Sequence, residues 1–304
     1  MFGHATRVPG AVALLAGLFG LLSTQPRAEE SPVHPGFVRI GLISSLFSDV
    51  PVATVMGMMQ PLSALMEAQT GVSGELVACG DVENLGQQLF DDKVQLGVFH
   101  GIEFGWARQK HPELRALVIA VNQQCTMRAH LVVRADAKVT GLADVQDKTL
   151  ALPQQTREHC HLFLRRRCLE YKKEPATFFS KITKPGNVED GLDDVVDGVV
   201  QACVVDGMSL DCYKRRKPGR FGKLKIALSS ENFPAAVVVF RPGMLDEVTL
   251  NRFRDGLINA NRTVVGRQLM TLWKLTGFEQ VPQDYEHTLT EIVKAYPLLV
   301  PSAK

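Results

Sequence analysis

The sequence lacks a dominant charge: 34 Lys and Arg face 32 Asp and Glu, a formal net charge of +2 over 304 residues. That balance gives no overall electrostatic pull toward nucleic acid or an anionic membrane surface. Aromatic residues are sparse, at 7%, which argues against an aromatic-walled groove for single strands or sugars. Beyond residue 28 no stretch approaches 18 uncharged apolar residues, so no membrane-spanning helix is expected there. Several enzyme signatures are also missing: there is no G-x-S-x-G, no H-E-x-x-H and no G-x-x-x-x-G-K. Internal repeats and low-complexity segments are absent. What remains, 45% hydrophobic and 22% charged, is ordinary globular composition, which excludes collagen-like, disordered and coiled-coil classes. No catalytic residue, metal or other cofactor is assigned.

Residues 1–28 read as a secretory signal peptide. His4 and Arg7 give a weakly basic start, Gly10 to Leu22 is a 13-residue uncharged run, and small and polar residues follow to Ala28. A helix of that length covers about 20 Å, short of the ~30 Å hydrocarbon core; an uncleaved anchor is the alternative. Loss of Arg7 and Arg27 would leave 32 basic and 32 acidic residues in a soluble, exported mature chain. Six cysteines (Cys79, Cys125, Cys160, Cys168, Cys203, Cys212) follow the signal, an even number that permits disulfides in an oxidising compartment. Cys160 and Cys168 on one helix would lie about 12 Å apart, too far for a bond that needs Cα atoms within ~7 Å. Cys203 with Cys212 or Cys168, Cys79 with Cys125, and free thiols all stay open.

Hydrophobic patterning predicts strands at Val38–Ile43, Glu75–Cys79, Val94–Phe99 and Ala116–Val121, alternating with helices at Val52–Thr70, Asp81–Phe90 and Ile102–Gln109. Nearly continuous apolar strands in a βαβ rhythm indicate an α/β protein with sheets covered on both faces. A second such set fills residues 135–228. It has strands at Thr149–Leu152, Phe178–Ile182 and Val199–Val205, and helices at 157–170 and 189–196. Strands at Arg128–Arg134 and Ala235–Phe240 flank it, and helices at Leu245–Asn261, Gly266–Thr276 and Tyr285–Ala295 close the chain. Two lobes are expected, 37–134 with 232–304 and 135–231, bending near Arg134-Ala135 and Ser229–Asn232. Sites in such sheets lie beyond the carboxyl ends of strands, at Ser44-Ser45, His100-Gly101, 153–157 and Asp206.

Thr156 can cap the helix that follows it, whose first N–H groups favour an anion, and Arg157 can add a bidentate grip. Asp206 either faces a cleft or caps the helix containing Leu210 and Tyr213, and local chemistry favours the cap. Glu158-His159-Cys160-His161 concentrates metal-type ligands, yet consecutive helical residues point about 100° apart and do not converge by themselves. The basic run Lys214-Arg215-Arg216-Lys217, with Arg220, Lys223 and Lys225, reads as a solvated surface rather than a nucleic-acid patch.

The string VRIGLISS, then Gln60-Pro61-Leu62, then Lys93–Gly101 (KVQLGVFHG) resembles the phosphate/phosphonate-type periplasmic substrate-binding proteins of ABC transporters. Gly141–Lys148 (GLADVQDK), DGVVQACVVD ending at Asp206, Gly277-Phe278 and Tyr285 extend the likeness across residues 37–296. The resemblance implies the two-lobed type II periplasmic-binding-protein architecture, each lobe a mostly parallel sheet flanked by helices. It further implies a small anionic, phosphonate- or phosphate-like ligand held by hydroxyls and backbone N–H groups, an inner-membrane ABC permease as partner, and a monomer.

Carried onto this chain, the ligand-binding set becomes Ser44, Ser45, His100, Gly101, Phe104, Thr156, Arg157, Asn187 and Asp206. The family's Ser-Thr-Ser-Gly loop is matched at Thr156 alone, and Asn187-Val188 replaces its Ser-His pair. Two other readings remain: a ligand-sensing or scaffold protein of the same fold partnering a membrane receptor, and a periplasmic metal or redox protein using Cys160, Cys168, His159 and His161.

Overall fold

A computed structural model of the chain describes residues 37–47, 52–122, 125–154, 156–273 and 275–298. The expected signal segment 1–28, Gln155 of the 153–157 loop and Lys274 lie outside the described residues.

The first half runs β1 (Val38–Leu42), α1 (Val52–Thr70), β2 (Gly74–Ala78), α2 (Val82–Phe90), β3 (Leu96–Phe99), α3 (Gly101–Lys110) and β4 (Arg115–Val121). The chain then makes β5 (Thr126–Met127), β6 (Ala129–Arg134), β7 (Thr149–Ala151), α4 (Glu158–Leu169), α5 (Pro175–Phe178), β8 (Lys181–Thr183) and α6 (Val188–Val196). There follow β9 (Ala202–Asp206), α7 (Gly207–Arg216), α8 (Pro218–Phe221) and β10 (Leu224–Ser229). It ends with β11 (Phe233–Pro234), β12 (Ala236–Phe240), α9 (Glu247–Ile258), α10 (Val264–Leu272), β13 (Gly277–Glu279) and α11 (Tyr285–Ala295).

Two mixed sheets result, ordered β13-β4-β12-β3-β1-β2 and β10-β6-β9-β7-β8. The βαβ units pair in parallel, β2 with β1 and β1 with β3, β8 with β7 and β7 with β9, whereas the returning strands β12 and β6 run antiparallel to their neighbours. The apolar runs are continuous because alternate residues serve opposite faces. In β12, Val237 and Val239 enter one core with Leu85, Leu89, Phe104 and Leu289, while Val238 enters the other with Leu62, Phe253 and Leu257. In β9, Ala202 and Val204 meet Phe163 and Phe178, while Cys203 and Val205 meet Leu192 and Tyr213. Each fully buried Val or Leu contributes roughly 1.5–3 kcal/mol.

The sheets are joined by a short antiparallel ribbon in which Met127 pairs with Phe233 and Thr126 with Pro234. Arg134-Ala135 therefore does not mark the crossing. The β-branched run Leu131-Val132-Val133 pairs with β9 on one side and β10 on the other, which puts all of β6 in the second sheet. A fifth apolar cluster sits at the ribbon and draws Ile102, Phe233, Ile292 and Tyr296 together with Met127 and Leu162.

All six cysteines are free. Cys79, Cys160, Cys168 and Cys203 are buried in the cores, and none of the open pairings forms. Three residues of the basic run pair with acidic groups of α6 and its end: Arg216 meets Glu189 at 2.5 Å, Lys217 meets Asp193 at 2.6 Å, and Arg220 meets Asp193 and Asp197 at 2.6 and 2.7 Å.

Candidate functional site

The carboxyl ends of strands from both sheets deliver polar groups beside the ribbon. From the first sheet, β1 leads into a 3-10 turn at Ser44–Phe47, and β3 leads through His100 into α3. From the second, β7 leads through 152–157 into α4, and β9 ends at Asp206.

Ser45 Oγ donates to Glu103 Oε2 at 2.8 Å. Glu103, on the first turn of α3, is 8% exposed. Burial pushes its carboxyl up to about 7 against the Ser45 bond, with Glu158 of α4 adding to the rise. His100 sits at the N-cap position of α3 in extended conformation and makes no side-chain cap. Burial holds its imidazole below the usual histidine range; a Ser45 backbone bond and Glu158 oppose that, and Arg157 assists it. His159 is 5% exposed, and burial lowers it to about 4, with Asp206, Arg157 and His100 all within electrostatic reach. Ser45, His100, Arg157 and Asp206 of the sequence-derived set thus gather with Glu103, Glu158 and His159.

The other members of that set have structural duties. Gly101 opens α3 against the ribbon, where a Cβ would come within 2.5 Å of the carbonyl oxygens of both Pro234 and Ala235. Ser44 donates its N–H to Gly80 and is exposed. Phe104 is 0% exposed, inside the first core and 6.2 Å from Phe99, so it lines no cleft. Asn187 is exposed and spent on capping α6: its Oδ1 accepts from Asp190 N at 2.9 Å and its Nδ2 donates to Asp190 at 2.7 Å.

Thr156 does not cap α4. Its hydroxyl donates to the Pro153 carbonyl at 2.7 Å, and the N-cap residue is Arg157, which makes no side-chain cap bond. Among the described residues Arg157, at the N-cap, places no side chain across the first N–H groups of α4, whose partial positive charge favours an anion. Arg157 Nη1 contacts Met127 Sδ of the ribbon at 3.7 Å. Asp206 caps α7, accepting from Ser209 N at 3.1 Å and Oγ at 2.5 Å.

Among the described residues no three His, Cys, Asp or Glu side chains converge to hold a metal ion. Burial raises Cys160 far above the usual thiol range and Cys168 to about 12, so both stay protonated, poor ligands and poor nucleophiles. His161, next to them in sequence, is exposed.

Known proteins bear on this arrangement. The family model described as ABC transporter, phosphonate, periplasmic substrate-binding protein matches residues 45–285. The chain belongs to that family. As a phosphonate-type substrate-binding protein it has the type II fold, and solved structures agree. PhnD1 from Prochlorococcus marinus, in complex with methylphosphonate, superposes with a TM-score of 0.54 at 13% identity, over 86% of this chain and 98% of that one. A Xanthomonas citri protein bound to ATP gives 0.55 at 18% identity, over 86% and 97%. A binding-protein component of an ABC phosphonate transporter from Pseudomonas aeruginosa gives 0.50 at 14%, over 88% and 91%. No curated protein matches the chain.

Glu103, Glu158 and His159 were not among the sequence-derived site residues. Glu158 and His159 were visible as part of a ligand-rich quartet, read there for metal alone. Glu103 gave one signal, a lone carboxylate within the otherwise apolar Gly101–Trp106.

Proposed function

We propose that this substrate-binding protein is exported through residues 1–28 and captures a small anionic, phosphonate- or phosphate-like solute in the periplasm for an inner-membrane ABC permease. The lobes would be residues 37–125 with 235–298, and 129–230, hinged at the Thr126-Met127/Phe233-Pro234 ribbon. The supporting observation is the convergence of both sheets' carboxyl ends at this ribbon, with the uncapped start of α4 and Arg157 on one side and Ser45 and His100 on the other. The helix dipole and the guanidinium stabilise an oxyanion, and closing the lobes removes water and strengthens both. The reading is that of a carrier that performs no chemistry on its ligand.

Titration calorimetry of the exported protein with methylphosphonate and inorganic phosphate tests this. Saturable one-to-one binding, with a rise in melting temperature, is expected from one or both. No heat and no shift from either would count against the ligand class.

A further inference from the structure

Five buried side-chain atoms among the described residues lack a hydrogen-bond partner: Arg108 Nε, His111 Nε2, Glu113 Oε1, Arg167 Nε and His159 Nε2. Four belong to groups already in ion pairs: Arg108 with Glu286, Arg167 with Glu170 and Glu231, and His111 with Glu113. His159 Nε2 stands apart, on the first turn of α4, two residues after Arg157. Its ring packs 5.5 Å from Phe233 of the ribbon and hydrogen-bonds the Arg128 backbone between β5 and β6. Asp206 of the second sheet and His100 of the first both lie within electrostatic reach. The ring therefore lies beside the ribbon, between groups supplied by both sheets.

The Arg128 bond sets the chemistry. A backbone carbonyl accepts, so Nδ1 carries the proton and Nε2 of the neutral ring presents a lone pair. An unsatisfied buried acceptor costs free energy until something donates to it. Glu158 and Asp206 nearby are also acceptors, and Ser45 and Thr156 have turned their hydroxyls to Glu103 and Pro153. A fully deprotonated oxyanion gripped by Arg157 would oppose lone pair to lone pair.

Building on the reading above, we propose that His159 Nε2 is a specificity-determining acceptor, and that the bound molecule carries an N–H or O–H donor on or beside its anionic group. The class is an oxyanion that keeps a proton, or one bearing a neighbouring amine. Sites that hydrogen-bond a ligand's O–H or N–H discriminate strongly against analogues without it, because a buried polar group is then left unpaired.

Two matched pairs distinguish the sources by calorimetry: hydrogen phosphate against sulfate for O–H, and 2-aminoethylphosphonate against propylphosphonate for N–H. The wild type should favour the donor-bearing member of at least one pair by about tenfold or more. His159→Phe, which keeps a ring against Phe233, should bring that preference toward unity, and His159→Gln, whose amide oxygen can accept, should restore part of it. Equal affinities within both pairs in the wild type, a result independent of whether any variant folds, would overturn the proposal while leaving anion capture intact; so would a preference that persists in a folded His159→Phe. Silence from all four probes would overturn the proposed ligand class and this inference with it.

Discussion

Ser45 Oγ and Glu103 Oε2 are joined by a 2.8 Å hydrogen bond that ties the turn after β1 to the first turn of α3, 58 residues later. The carboxyl so held is buried and carries its proton up to about pH 7. In the unfolded chain it would ionise near its ordinary value of 4.5. Between those values the folded state binds more protons, so this group's contribution to stability is complete below pH 4.5 and is lost as pH rises through about 7. Glu103→Gln, which can still accept from Ser45, should be the more stable form at about pH 8 by on the order of 2 kcal/mol, and the difference should vanish at about pH 4. Urea melts across that range measure it.

His159 acts with the opposite sign. Burial lowers its pKa from 6.5 to about 4, so the unfolded state binds the extra proton and stability falls as pH drops from 6.5 toward 4. The two slopes oppose each other in the wild type. His159→Phe should flatten the acid side of the stability profile and expose the Glu103 slope, as read by denaturant midpoints between about pH 4 and 7.

Gly101→Ala should destabilise by roughly 2 kcal/mol or more, because the added methyl meets two backbone carbonyls that cannot swing aside. Since those carbonyls belong to Pro234 and Ala235 at the ribbon, small-angle scattering should also report a changed spacing between the sheets. An unchanged melting temperature would contradict the close approach.

Arg157→Ala should weaken methylphosphonate binding about tenfold to a hundredfold, the worth of one charge-assisted contact. Its contact to Met127 Sδ is weak, so the melting temperature of the free protein should barely move. Calorimetry and a thermal melt on the same preparation separate the two effects.

Asp193→Asn removes the shared acceptor of Tyr213, Lys217 and Arg220. Burial works against ionisation of Asp193, but the bonds from Lys217, Tyr213 and Arg220 prevail and hold it below the usual carboxylate range. Its support is present above that range and fades as pH falls through it. Lys217 and Arg220 are a third exposed, so the cost at neutral pH should be only about 1 kcal/mol and should shrink further in high salt.

Much of the fold was legible because local and global demands coincide. The helix expected from Asp81 to Phe90 forms, with Asp81 as its cap, and Tyr285–Ala295 is helical over the expected span. Elements made by their partners escaped notice. The two-residue β5 and β11 exist through each other, and β10 pairs along β6 although Lys225 breaks its apolar pattern. The segment 178–182 reads as a strand, yet Pro175 starts a helical turn that runs through Phe178 and leaves only Lys181–Thr183 to pair. The site divides the same way. Strand-end logic led to Arg157 and Asp206, which do lie beside the ribbon, whereas Phe104 was misplaced because the helix begins at Gly101 and turns residue 104 into the core. Glu103 could not be found, because its role depends on Ser45 and on burial supplied by another part of the chain.

The position of β12 between β3 and β4 governs the order in which the molecule can be completed. When translation has reached Val121, β3 and β4 have no shared edge, and each awaits a strand more than a hundred residues downstream. The segment from Ala129 to Ser229 contains every strand of its own sheet and can close without them. The middle of the polypeptide is thus able to mature before the beginning. The early strands remain open, adhesive edges until Phe240 has been made, and that interval is when a holding chaperone has most to protect.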